Sequence, residues 1–141
     1  MRQLEIRLMK PDDYEAAYAL WSQTPGMNLK SLNNSYDGIK AIIDHNPTTC
    51  FVAEDAGQLV GTLLGGTDGR KGYFYHMAIA EAHRGQHIGS QLVQAVLKGF
   101  KDQNIVKIGL FTTNDNPDGR AFWEHVGFKV RPDITYLDLD L

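Results

Sequence analysis

The amino-acid sequence predicts an α/β fold, a single domain over residues 1–141 with a mixed sheet and flanking helices. Three observations carry this. Residues 49–54, 59–64 and 73–79 are short apolar runs joined by glycine-containing turns, as successive antiparallel strands would be. The third run leads into an amphipathic helix from Ser90 and then another apolar run, 106–112; a strand, helix, strand connection makes runs 73–79 and 106–112 parallel neighbours. Finally, 141 residues with 43% hydrophobic and 22% charged side chains suit one ordinary globular core.

From the N-terminus, Leu4, Ile6 and Leu8 alternate with polar neighbours and predict a half-buried first strand. Pro11 suits a first helical position and Asp12, Asp13 and Glu15 complement the helix dipole. Tyr14, Ala17, Tyr18 and Trp21 share that helix's face, and Thr24-Pro25-Gly26 ends it. A polar loop through Asn33-Asn34 leads to a second helix, with Ser35 as cap, Ile39, Ile42 and Ile43 as apolar stripe and Pro47 as stop. Beyond the three strands, Ile88, Leu92, Val93, Val96, Leu97 and Phe100 recur at helical spacing. Asn116 caps a last helix with Pro117 at its first position and Gly127 at its end. Runs 128–131 and 134–139 are expected to finish the sheet. No internal repeat, low-complexity tract or interdomain linker interrupts the chain.

A formal net charge of -3 gives no support to a nucleic-acid partner. No apolar run approaches the roughly 20 residues of a membrane span, and Met1-Arg2-Gln3-Leu4-Glu5 lacks the apolar stretch of a secretory signal, so the expected compartment is the cytoplasm, with no membrane partner. Cys50 is the sole cysteine; it forms no internal disulfide or thiolate cluster and reads as a buried strand residue. A nucleophilic role would require an activating base and a lowered thiol pKa. His83 and His87 are four apart but lie in or beside a loop, which suits contact with a phosphate better than a metal. Gly65-Gly66-Thr67-Asp68-Gly69-Arg70-Lys71 lacks the Gly-Lys-Ser/Thr ending of a nucleotide loop and reads as a hairpin turn.

The most informative stretch is Arg84-Gly85-Gln86-His87-Ile88-Gly89, between a buried strand and a helix. The first helical turn has unpaired amides and the aligned peptide dipoles place about half a positive charge there, so an anion such as phosphate is the natural occupant. Gly85 and Gly89 let a ligand approach the backbone.

Element order and this loop together resemble the GNAT superfamily of acyl-CoA N-acyltransferases over nearly the whole chain. That family's signature is Arg or Gln, two variable positions, Gly, one variable position, then Gly or Ala. Arg84, Ile88 and Gly89 fit it, while His87 stands in place of the first glycine. A second family pattern, an Asn followed by a helix ending in an aromatic pair, Glu and Gly-Phe, is matched by Asn116, Phe122-Trp123-Glu124 and Gly127-Phe128.

The resemblance implies a fold with a splayed parallel strand pair and acetyl-CoA as co-substrate, without metal. Its pyrophosphate would rest on amides of Gly85, Gln86, His87, Ile88, Gly89 and Ser90, beside Arg84. Its pantetheine arm would lie along Met77, Ala78 and Ile79 like an added strand. The Met77 amide is then the candidate oxyanion donor, Asn116 a cofactor contact, and Trp123 a neighbour of the sulfur. Many relatives carry a tyrosine at the Trp123 position that protonates the departing thiolate; indole cannot, so water or another tyrosine would supply the proton. The general base is open among Tyr73 and Tyr75, acting through an ordered water, and His76, which strand alternation would place on the opposite face from Tyr73, Tyr75 and Met77. Each of these has a structural alternative: Asn116 as a helix cap only, Trp123 as core packing, and Tyr73, Tyr75 and His76 as sheet residues.

The function expected is transfer of acetyl directly to a primary amine, on a small molecule or peptide, in a ternary complex. The alternatives are a non-catalytic acyl-CoA binding or sensing domain and an interaction module without cofactor. The acceptor pocket is expected from the 21–36 region, the strand around Tyr73 and Tyr75, and the C-terminal strands. Its Tyr, Trp and Asn side chains suggest a polar small molecule, whereas an open groove would suit a protein N-terminus or lysine. A C-terminal strand is available to pair across a homodimer.

Overall fold

Five strands hydrogen-bond in chain order into one mixed sheet: β1 (Leu4–Leu8), β2 (Cys50–Asp55), β3 (Gln58–Thr67), β4 (Gly72–Ile79) and β5 (Ile108–Leu110). In this computed structural model the described residues are 3–27, 29–30 and 32–141. The N-terminal reading at Met1 and Arg2, and Asn28 and Ser31 of the expected acceptor region, lie outside them. The first three pairings are antiparallel. Asp55 pairs with Gln58 around Ala56-Gly57, whose φ of 53° and 83° match the twist of a two-residue hairpin. The β4–β5 pair is parallel, as the intervening helix requires.

Helices α1 (Tyr14–Ser22) and α2 (Tyr36–His45) cover one face of the sheet. Pro11–Asp13 forms a 3-10 turn ahead of α1, and the Ser35 hydroxyl caps α2 by accepting from the Gly38 amide. Ala17, Trp21, Ile39 and Ile43 pack there with Cys50, Val52, Leu64 and Ala78. The opposite face is covered by α3 (Ile88–Asp102), whose buried stripe is Ile88, Leu92, Val93, Val96 and Phe100. Its close approach depends on Gly65. A Cβ there would come within 2.7 Å of Val96 and 2.8 Å of the Thr49 carbonyl oxygen.

Strand β5 is shorter than the run 106–112, and Val106 is exposed. The β4–β5 ladder has three pairs and stops at Phe74–Leu110, while β4 continues to Ile79 beside β3. This is the splayed parallel pair: two strands that start together and lose their common ladder.

A bulge in β4 also changes which residues share a face. Leu64 pairs with Tyr75 and Thr62 with Ala78, so β4 spends one more residue than β3 over this interval. The extra residue is His76, with φ 55°. Before it Tyr75, and after it Ala78, meet the α1/α2 side, while Phe74 stacks on Phe100 of α3 at 6.3 Å. Simple alternation therefore fails at His76, and Met77 falls out of step with Tyr73 and Tyr75.

The chain divides into two compact units at Phe111/Thr112. Within Thr112–Leu141, α4 (Pro117–His125) has Pro117 at its first position and is capped by Asn116 Oδ1, which accepts from the Gly119 amide at 3.1 Å. The expected strands 128–131 and 134–139 are absent: these residues are irregular, with Val130, Ile134, Tyr136, Leu137 and Leu139 exposed. Alternation records a potential face but not the hydrogen-bonded neighbour a strand requires. Pro132 offers no amide for such a ladder.

Candidate active site

From β4 the chain passes through a 3-10 turn, Glu81–His83, into the 84–89 loop. Gly85 has φ 77° with open space where a Cβ would stand, and His87 has φ 63°. The second value gives the physical reason for a glycine in the family signature at this position, since a left-handed backbone is costly for a residue with a Cβ. Helix α3 starts at Ile88, two residues before the expected Ser90. The side chain of its N-cap residue, His87, makes no cap, and no acidic residue occupies its first turn. Its first-turn amides have neither intrahelical acceptors nor a competing carboxylate. Ile88 is buried and anchors the turn, while Arg84 and His87 are exposed. Of the two histidines expected near a phosphate, His83 places Nε2 3.1 Å from Asp55 Oδ2, and its buried Nδ1 has no hydrogen-bond partner.

The bulge brings Tyr73, Tyr75 and His76 to one cavity of about 480 Å³, bounded also by α2, the loop before it and the β3–β4 turn. This corrects the expected separation of His76 from the two tyrosines. The imidazole lies edge-on to Trp21, ring centroids 4.5 Å apart, and the indole donates from Nε1 to Thr62 Oγ1. Thr62 in turn donates to the His76 carbonyl oxygen at 2.7 Å, tying the bulge down. His76 Nε2 lies 2.8 Å from Asn34 Oδ1. Asn34 Nδ2 donates to the Leu29 carbonyl, which directs Oδ1 toward the ring, so Nε2 carries the proton and Nδ1 the lone pair. Burial pushes the His76 pKa down to about 4.

Asn34 was not singled out by the sequence beyond its place in a polar loop. Its 8% exposure, the Tyr14 hydroxyl on its carbonyl oxygen at 2.7 Å and its bond to His76 make it the link between loop and strand. Cys50 is buried beside the Gly65 carbonyl, and burial pushes its thiol up to about 11, opposite to what a nucleophile needs. In the second unit Trp123 packs edge-on against Phe122 and Phe128, at 5.0 and 5.3 Å, consistent with its core-packing alternative.

A family model described as "Acetyltransferase (GNAT) family" matches residues 12–128. The chain belongs to the GNAT acetyltransferase family. It is therefore an acyltransferase. An acetyltransferase of Pectobacterium atrosepticum is 30% identical over 132 residues, covering 94% of this chain and 92% of that one. The fold is shared with Ard1 of Thermoplasma volcanium (TM-score 0.80, 24% identity, 91% of this chain and 84% of that chain). It is also shared with an aminoglycoside N-acetyltransferase bound to the bisubstrate analogue CoA-S-monomethyl-acetylneamine (TM-score 0.76, 15% identity, 99% of each chain). Among the described residues of this acetyltransferase, no helix is long and apolar enough to cross a membrane.

Proposed function

We propose that this acetyltransferase moves acetyl from acetyl-CoA directly to a primary amine while both substrates are bound. The observation that carries the reading is the continuity of β4. The strand leaves its parallel partner after Phe74, runs on to Ile79, and leads to a helix start with no side-chain cap or first-turn carboxylate. Residues along this path suit the parts of acetyl-CoA in order. Amides from Gly85 to Ser90, with Arg84 alongside, suit the pyrophosphate. Backbone groups of Met77, Ala78 and Ile79 suit the amide-bearing arm. The bisubstrate analogue held by the aminoglycoside enzyme joins CoA and acceptor in one ligand, which supports a ternary complex over a double displacement. Cys50, with its raised thiol pKa, offers no route to an acyl-enzyme.

Acetyl-CoA supplies an activated thioester carbonyl. The Met77 amide would stabilise the negative charge that develops on the carbonyl oxygen as the amine attacks. His76 Nδ1, or Tyr73 and Tyr75 through a water, would take the amine's proton as the C–N bond forms and the C–S bond breaks. Asn116 would contact the cofactor in addition to capping α4; Trp123 would lie near the sulfur without donating the thiolate's proton. The matched span 12–128 runs from the first compact unit into the second, which supports one functional domain over 1–141. The proposed compartment is the cytoplasm. Purified protein given acetyl-CoA and a broad amine panel should release free thiol; cofactor binding without release from any amine or peptide would favour a sensing domain.

A further inference from the structure

The cavity beside Tyr73, Tyr75 and His76 has polar residues in its wall, but most of their hydrogen-bonding groups face each other. Asn34 spends Oδ1 on His76 and Nδ2 on Leu29. Asn46 donates from Nδ2 to the Ile42 carbonyl and accepts from the Thr67 amide through Oδ1, both at 3.1 Å. The Thr67 hydroxyl donates to the Lys71 carbonyl and accepts from the Gly69 amide. Asn33 Oδ1 accepts from the Ser35 amide and hydroxyl. Asp68, the carboxylate among the described lining residues, is paired with Arg70 at 3.0 Å and accepts from the amides of Arg70 and Lys71.

What this wall presents to a ligand is mostly hydrocarbon: Leu32, Ile42 and the faces and edges of Tyr73 and Tyr75, with Ile39 and Leu64 buried behind them. Gly66 extends the space. A Cβ there would sit 3.4 Å from the Tyr75 ring and 3.6 Å from Ile42. A hydroxyl-rich ligand entering this cavity loses its water and meets wall groups that are mostly engaged already, His76 Nδ1 excepted, and a polycation finds only Asp68, which is paired with Arg70. An apolar body loses nothing by the same desolvation. The side chains suggested a polar acceptor in the sequence; their internal pairing reverses that suggestion.

We infer that the acceptor is a primary amine carried on an aliphatic or aromatic body, seated between α2 and β4 with its nitrogen toward Tyr73, Tyr75 and His76. The inference rests on the acetyltransferase reading above. A volume of about 480 Å³ suits a small molecule.

The test compares 2-phenylethylamine and hexylamine with neamine and glucosamine at a fixed acetyl-CoA concentration, following thiol release. The expected kcat/KM for 2-phenylethylamine exceeds that for neamine by ~100-fold, and Ile42→Asn lowers it ~10-fold through KM with the acetyl-CoA KM unchanged. Gly66→Ala, which adds one methyl group in the cavity, should raise the same KM and serves if Ile42→Asn does not fold. Equal or better turnover of neamine or glucosamine would overturn the inference, as would an unchanged KM in the folded variants. If no amine releases thiol, calorimetric titration with 2-phenylethylamine separates the two claims. Binding weakened by Ile42→Asn or Gly66→Ala upholds the apolar pocket while the transfer reading falls; no binding removes the pocket's assignment too.

Discussion

His87 is the residue at which local backbone cost and ligand access meet. Its φ of 63° favours glycine, and its side chain stands on a loop whose backbone should face an anion. His87→Gly should leave thermal stability nearly unchanged, because relief of about 1 kcal/mol of left-handed strain is offset by a similar loss of unfolded-state restriction. Calorimetry should show acetyl-CoA binding tighter in the variant; weaker binding would mean that the imidazole is itself a phosphate ligand. His76 makes a different prediction. Its pKa, lowered from 6.5 to about 4 by burial, means that the unfolded chain binds a proton in this window that the folded chain refuses. Stability should therefore fall as pH drops from 6.5 toward 4, by up to about 3 kcal/mol, and be fully present above 6.5. His76→Asn, which suits the same positive φ, should flatten that part of the stability profile in denaturant titrations. The residue types of the site were legible as candidates, but the partnership of His76 with Asn34 was not. It depends on a loop folding back 42 positions along the chain and on a bulge that leaves no period in the sequence.

At the scale of elements, periodicity located the strands and helices of the first unit because each has one face against a core. Ser35 and Asn116 were readable as caps for the same local reason: a side-chain oxygen beside unpaired amides. Pairing partners are less local. Residues 106–112 carry enough apolar character for a long strand, yet the ladder to β4 closes over only Ile108–Leu110. The segments 128–131 and 134–139 alternate as strands do but form no ladder. The packing of α3 on β3 is more sharply determined. Gly65→Val should destabilise by about 1–3 kcal/mol through overlap with Val96, Phe100 and the Thr49 carbonyl, read as a lower urea midpoint. An unchanged midpoint would mean that α3 can withdraw from the sheet at no cost.

Across the whole molecule, the family match over 12–128 takes in the 84–89 loop, the bulged strand and the capped final helix. The family was legible in the sequence because its motifs rest on contiguous residues. The lining of the cavity was not, because its wall is assembled from α2, β3, β4 and two loops, and its polarity depends on which groups are already paired. Ile134, Tyr136, Leu137 and Leu139 leave apolar surface near the C-terminus, and a homodimer joined there should appear by light scattering and return to monomer on truncation before Ile134. A monomer at all concentrations would exclude that role. Direct acetyl transfer to an amine leaves a stoichiometric signature. Mass spectrometry of a reaction containing the purified chain, acetyl-CoA and 2-phenylethylamine should show N-acetylated amine and free CoA in equal amounts, with no acetylated protein intermediate. Bound acetyl-CoA that remains intact with every amine and peptide offered would contradict it.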